Sequence, residues 1–206
     1  MAYITLAQLK AHMQITTTDD DAVLTRYPAA VTDAIDMYCK RHFEPEGGAG
    51  GASTHPHYFT PLDIYAGGDL IDSTTLWLKH DLAELTSITN GDGATIPNAE
   101  VVTLPLSRTP IQALRIKSAS SYRWTYSTSP EGSVIVRGKW SFGTEIPPSI
   151  VEAALEWAKH MYGLRTGAVN APSDVTISAD GTAFMSSKMP GHVRGLLLPY
   201  IKRSRS

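Results

Sequence analysis

Leu6, Leu9 and Met13 recur at helical spacing while Lys10 and Gln14 take the opposite side, so the chain opens on a short amphipathic helix. Thr5 stands where a hydroxyl caps such a helix, and Gln8, three residues on, completes a capping box. A second helix starts in Asp19, Asp20 and Asp21, whose carboxylates suit the positive end of a helix dipole and accept bonds from free amides. Val23, Leu24, Tyr27, Val31, Ala34, Ile35, Tyr38 and Cys39 form its apolar stripe over residues 20–42, and Lys40, Arg41 and His42 suit its negative end. Pro28 interrupts the stripe. Inside a helix it removes a hydrogen bond and clashes with the preceding turn, at about 3 kcal/mol, which predicts a kink or a break.

The period then changes. Residues 44–54, EPEGGAGGAST, hold no large apolar side chain and read as a loop. Beyond Tyr58 the pattern alternates: Tyr122, Trp124 and Tyr126 share one face against Arg123 and Thr125, and Leu114 and Ile116 oppose Arg115 and Lys117. Residues 75–79, 85–89, 100–104 and 133–139 read as further strands, punctuated by Pro97, Pro105 and Pro110. The NGDG of residues 90–93 reads as a tight turn after one of them. An antiparallel sheet or small barrel with one wet face is expected.

Helical spacing returns with Ile150, Val151, Ala154, Leu155, Ala158, Met161 and Tyr162, on a long helix that starts at Pro147-Pro148-Ser149 and closes near Gly167. Residues 174–185 read as a hairpin around Asp180-Gly181, and residues 190–200 as a short last helix or extended arm. A basic tail follows, Lys202-Arg203-Ser204-Arg205-Ser206. The expected class is α+β: a small helical bundle, made of an N-terminal helix pair and a later long helix, with an inserted antiparallel sheet or small barrel. The expected segments are 1–56, 57–145 and 146–206, with the helices packing together in one domain.

Composition narrows the function classes. Eighteen basic residues against twenty acidic ones give a net charge of -2 in 206 residues, against a protein whose whole surface grips nucleic acid. No apolar run reaches membrane-spanning length, and the N-terminus lacks a basic-then-apolar leader, so a chain that stays in the cytosol where it is made is expected. The single cysteine, Cys39, excludes an internal disulfide and falls on an apolar helix face, where it reads as a buried thiol.

No motif for catalysis emerges. In GSVIVRGKW, residues 132–140, five residues separate the glycines and Trp140 stands where a phosphate loop needs a hydroxyl. Counting from Asp19, the sixth and twelfth places of a calcium loop hold Leu24 and Ala30. His55, His57, His80 and Asp81 could be considered for zinc, but there is no HExxH pair and no thiolate cluster, and surface histidines are the simpler reading. There is no GxSxG elbow. No catalytic residue, cofactor or metal is therefore assigned. Tyr122, Trp124 and Tyr126, flanked by Arg115, Lys117 and Arg123, form either the buried face of a sheet or a stacking platform. The platform would make the chain a carbohydrate or single-strand nucleic-acid binding module.

The order of elements resembles a known family. YITLAQLKAHMQITTTDDDAVLTRYPAAVTDAIDMYCKRHF is similar to the opening of tailed-phage head-tail connector proteins, also called adaptor or head-completion proteins. The likeness continues through LTSITNGDGATIP, GKWSFGTEIPPSIVEAALEWAKHMYGLR and LLLPYIKR. It implies a structural, non-enzymatic virion protein at the head-tail interface, assembled in the cytoplasm of a bacterial host. Such a subunit joins the portal of a DNA-filled head to the next tail-side component, a stopper or tail terminator. It does so in a ring of copies of itself, a dodecamer, through which DNA passes without sequence specificity. By the same resemblance Lys202, Arg203 and Arg205 become candidates for contact with portal or DNA.

Overall fold

The computed structural model describes residues 2–44, 55–167, 175–177, 183–185 and 189–202. The chain divides into two units, residues 1–40 with 146–206, and residues 41–145.

The first unit is helical. Helix α1, Leu6–Met13, starts on the expected capping box: the Gln8 amide donates to Thr5 Oγ1 and the Thr5 amide donates to Gln8 Oε1. The stripe over residues 20–42 is broken into α2, Asp21–Leu24, and α3, Tyr27–Cys39. Pro28 lies in the first turn of α3, where its missing amide forfeits no helical bond, so the expected interruption takes the form of a break. Helix α3 stops short of residue 42 because Lys40 turns left-handed, with φ of 54°, and closes the helix through its amide to the Asp36 carbonyl. Helix α4, Pro148–Thr166, ends on Gly167 at φ 68°. Helix α5, Gly191–Leu197, runs into a single tight turn at Leu198–Tyr200. Helix α4 is the hub, packing on α1, α3 and α5. Leu9, Leu24, Val31, Ile35, Ile150, Ala153, Ala154, Ala158, Val193 and Leu197 are fully buried.

The second unit is an antiparallel sheet. Its strands are β1 (His55–Phe59), β2 (Leu70–Asp72), β3 (Thr75–Thr89), β4 (Thr95–Ile96), β5 (Val101–Leu104), β6 (Ile111–Ile116) and β7 (Val134–Trp140). The order is β1-β7-β3-β6-β5, with β2 and β4 also paired to β3. The sheet has ends at β1 and β5 and is open, so of the two expected forms it takes the sheet and not the barrel. In β7, Val134, Val136, Gly138 and Trp140 are buried while Arg137 is exposed, the alternation a one-sided strand requires. The core gathers Phe59, Leu76, Leu78, Leu82, Ile88, Leu114, Val136 and Trp140 around β3.

Two strand expectations are corrected. Residues 75–79 and 85–89 belong to one long strand, β3, whose register shifts between Trp77 and Leu82 and again between Leu82 and Glu84. Such irregularities hide continuity by breaking the period of two. Residues 122–125 form no strand, although Tyr126 bridges to Gly91. The short β2 and β4 went unread because each depends on β3 for its pairing. The NGDG turn is present: the Asn90 amide donates to the Ala94 carbonyl, and Gly93 takes φ of 85°.

Two further strands, β8 (Val175–Ile177) and β9 (Ala183–Met185), pair antiparallel with Thr176 opposite Phe184, as a hairpin requires. Its expected turn at Asp180-Gly181 lies outside the described residues, as does the glycine-rich stretch at 45–54.

Candidate functional site

The aspartate run before α2 does not cap that helix with its side chains. Asp20 occupies the cap position without a side-chain cap bond. The carboxylates instead reach other helices: Lys10 Nζ of α1 lies 2.6 Å from Asp21 Oδ1, and the Tyr162 hydroxyl of α4 donates to Asp20 Oδ2 at 2.6 Å. That donated bond, reinforced by the negative charge of Asp20, pushes the Tyr162 phenol above its usual range. Tyr27 meets the Tyr162 ring edge-on, with centroids 6.5 Å apart. Tyr3 adds a hydroxyl bond to Asp36 of α3.

A denser cluster lies where α1, α4 and α5 meet. His12 Nε2 is 2.9 Å from Glu156 Oε1, and His192 Nε2 is 3.4 Å from Glu156 Oε2. Lys159 Nζ stands 3.6 Å from the same carboxylate. Partial burial would raise the Glu156 pKa, but the His12 hydrogen bond and the positive charges of Lys159, His12 and His192 outweigh it and hold it below the usual carboxylate range. Glu152, one turn earlier, joins the group: one ligand atom each from His12, Glu152 and Glu156 lie within 4.8 Å of one another. The cluster borders a cavity of about 460 Å³ whose lining includes Met13, Ile15, His160, Tyr162 and Gly163. Reading the sequence missed this group because His12 and Glu156 are 144 residues apart. The one local signal was the spacing of Glu152, Glu156 and His160 at successive turns of one helix.

The residues considered for zinc have other surroundings. His57 stacks on Trp140 at a centroid distance of 3.8 Å, and His80 meets His57 edge-on at 5.2 Å. Asp81 is buried and pairs with Arg41 at 2.9 Å. Among the described residues these groups do not converge as a ligand set. Trp124 is 7% exposed and joins the sheet core, its indole nitrogen donating to the Thr74 carbonyl at 2.8 Å. Tyr122 packs beside it half-buried, and only Tyr126 faces outward, so the three rings do not make a stacking platform. Arg123 turns to the Ser120 and Tyr122 carbonyls, and Arg115 bonds Thr75. Cys39 is buried, as expected of a structural thiol, and its carbonyl accepts the Lys202 amide at 2.8 Å. This bond fixes the start of the basic tail, whereas Arg203 and Arg205 lie outside the described residues.

The arrangement defines an α+β chain in which a helical unit knit by polar side chains accompanies a unit built on an open seven-stranded sheet. Residues 3–60 match the family model for phage gp6-like head-tail connector protein. The resemblance read from the opening sequence is thereby borne out over residues 3–60. Two solved structures share the fold. A chain from the neck of a native GTA particle, computed with C12 symmetry, aligns with a TM-score of 0.54 at 15% identity over 98% of this chain and 90% of that one. A chain from the neck of an empty GTA particle, computed with C6 symmetry, aligns with a TM-score of 0.51 at 13% identity over 99% and 92%. No curated protein sequence matches the chain. Among the described residues no helix is long and apolar enough to cross a membrane.

Proposed function

We propose that this chain is a ring-forming head-tail connector that joins the portal of a DNA-filled phage head to the tail, with DNA passing through the ring. The observation that carries the reading is the connector-family match over residues 3–60, seated on a fold shared with the necks of phage-like particles. The C12 symmetry of one of those necks favours a dodecamer here, and a closed ring needs two different faces on each subunit. The portal lies on one side and a stopper or tail terminator on the other. The protein works in the virion at the head-tail interface after assembly in the bacterial cytoplasm, and it performs no catalysis.

Lys202, Arg203 and Arg205 are the proposed contacts to portal or to passing DNA. The Lys202 amide is tied to the Cys39 carbonyl at the end of α3. A net charge of -2 suits a channel that must let DNA slide, because wholesale neutralisation of phosphates would hold it. The alternative of a carbohydrate or single-strand binding module loses its support with the burial of Trp124.

Purified protein incubated with portal-bearing capsids and imaged by electron microscopy tests the proposal. A ring of density added below the portal is expected, weakened when Lys202, Arg203 and Arg205 are replaced by alanine. Capsids that acquire no density, together with tail joining that survives deletion of the gene, would overturn it.

A further inference from the structure

We propose that His12, Glu152 and Glu156 form a binding site for a divalent transition-metal ion of the zinc type, with His192 as a further nitrogen donor. The site is independent of the connector reading. Glu152 and Glu156 stand one turn apart on α4 and present their carboxylates on one side, while His12 enters from α1. The three ligand atoms lie within 4.8 Å of one another. Donors about 2.1 Å from a tetrahedral ion stand roughly 3.4 Å apart. The His192 to Glu156 distance of 3.4 Å matches that spacing and the His12 to Glu156 distance of 2.9 Å falls short of it by a few tenths, so small side-chain rotations open room for the ion.

The mixture of imidazole and carboxylate selects the ion. Magnesium and calcium prefer shells of oxygen, whereas zinc takes neutral imidazole and carboxylate together. A second observation comes from His160, one turn beyond Glu156. It is 9% exposed, lines the same cavity, and its Nε2 is buried with no hydrogen-bond partner among the described residues. An orphaned imidazole nitrogen in the wall of the cavity that Glu156 also lines is costly unless something occupies that cavity to meet it. Lys159 is the cation that opposes an ion here. Its side chain is 53% exposed and reaches solvent without strain when the metal takes over the charge of Glu156. His12 and Glu156 are themselves only partly covered, which leaves a path of entry.

Bound metal would tie α1 to α4, and through His192 to α5, joining segments distant in sequence. Because it would bind the folded helices and not the unfolded chain, it would raise the melting temperature with the logarithm of the free ion concentration once that exceeds the dissociation constant. Isothermal calorimetry of the full chain with zinc chloride, beside thermal melts, tests this, with magnesium chloride as the contrasting probe. One zinc per chain is expected, with a raised melting temperature and no response to magnesium. The double variant E152Q/E156Q should lose the site, H12A should bind about tenfold more weakly or worse, and H80A should bind as the parent does. Circular dichroism establishes that each variant is folded; should the double variant unfold, H12Q supplies the decisive comparison. Absence of zinc binding would overturn the assignment, as would zinc binding that keeps its parental affinity in E152Q/E156Q or H12Q, or that disappears in H80A.

Discussion

Replacing Trp124 separates a structural ring from a recognition surface. The side chain is 7% exposed within the sheet core, so truncation to alanine removes a full indole from packed surroundings, a change that costs about 3–5 kcal/mol. The hydrogen bond adds little to this. Its acceptor, the Thr74 carbonyl, also receives the Ile116 amide at 3.0 Å and keeps a partner when the indole is gone. Trp124→Phe should therefore cost only about 1–2 kcal/mol, the sum of a reduced ring and a bond whose loss strands no buried group. Urea denaturation followed by far-UV circular dichroism reads both. With a slope of about 2 kcal/mol per molar, the alanine variant should unfold near 2 M earlier in urea and the phenylalanine variant less than about 1 M earlier. An alanine variant within about 1 kcal/mol of the parent would refute the packing analysis. Loss of sugar or oligonucleotide binding in that same stable variant would restore the platform.

Other perturbations follow from the same geometry. Asp81→Ala should cost about 3–5 kcal/mol in denaturant melts because it strands the buried guanidinium of Arg41, while the apolar double replacement of Arg41 and Asp81 should cost far less. Gly138→Ala should destabilise by about 1–3 kcal/mol, since a methyl there would collide with the Glu84 carbonyl and the Leu82 side chain. Glu156→Gln tests the acid limb of stability. The folded pKa of Glu156 lies below its ordinary value of 4.5, so its contribution is present above that pH and fades as pH falls through the folded value. Melts should accordingly show parent and variant differing at neutral pH and converging in acid. Amide exchange in α4 should quicken modestly at 1 M salt, where the screening length is about 3 Å, while β3 should be little affected.

Local rules carried most of the helices. The Thr5 and Gln8 box, the proline start of α4 and its glycine stop each act within one turn, and each is where the sequence put it. The NGDG turn is legible for the same reason. What eluded local reading depends on distant partners. Trp124 alternates with its neighbours as a strand residue would, yet its segment stays irregular, its indole bound to Thr74, 50 positions away. The aspartates at the start of α2 looked like caps, but Asp21 accepts from Lys10 and Asp20 from Tyr162. The cluster around Glu156 needed α1, α4 and α5 to be assembled before its members could be recognised as neighbours.

Exposed apolar side chains bear on how the proposed ring could form. On the helical unit, Met37 is 80% and Leu198 63% exposed; on the sheet unit, Tyr65 is 97% exposed. Scattered residues of this kind are ordinary on a soluble surface, so their number alone argues nothing. Energy decides the matter. Burying Met37 and Leu198 completely against a neighbour gains about 1.5–3 kcal/mol each. Fixing one subunit against another costs an estimated 4–15 kcal/mol in lost freedom of motion, before any side chain is ordered. These side chains alone therefore do not hold two free copies together. On the proposed reading, the remaining stabilisation comes from the portal, which holds each arriving subunit beside the last and turns a weak pairwise contact into an intramolecular one.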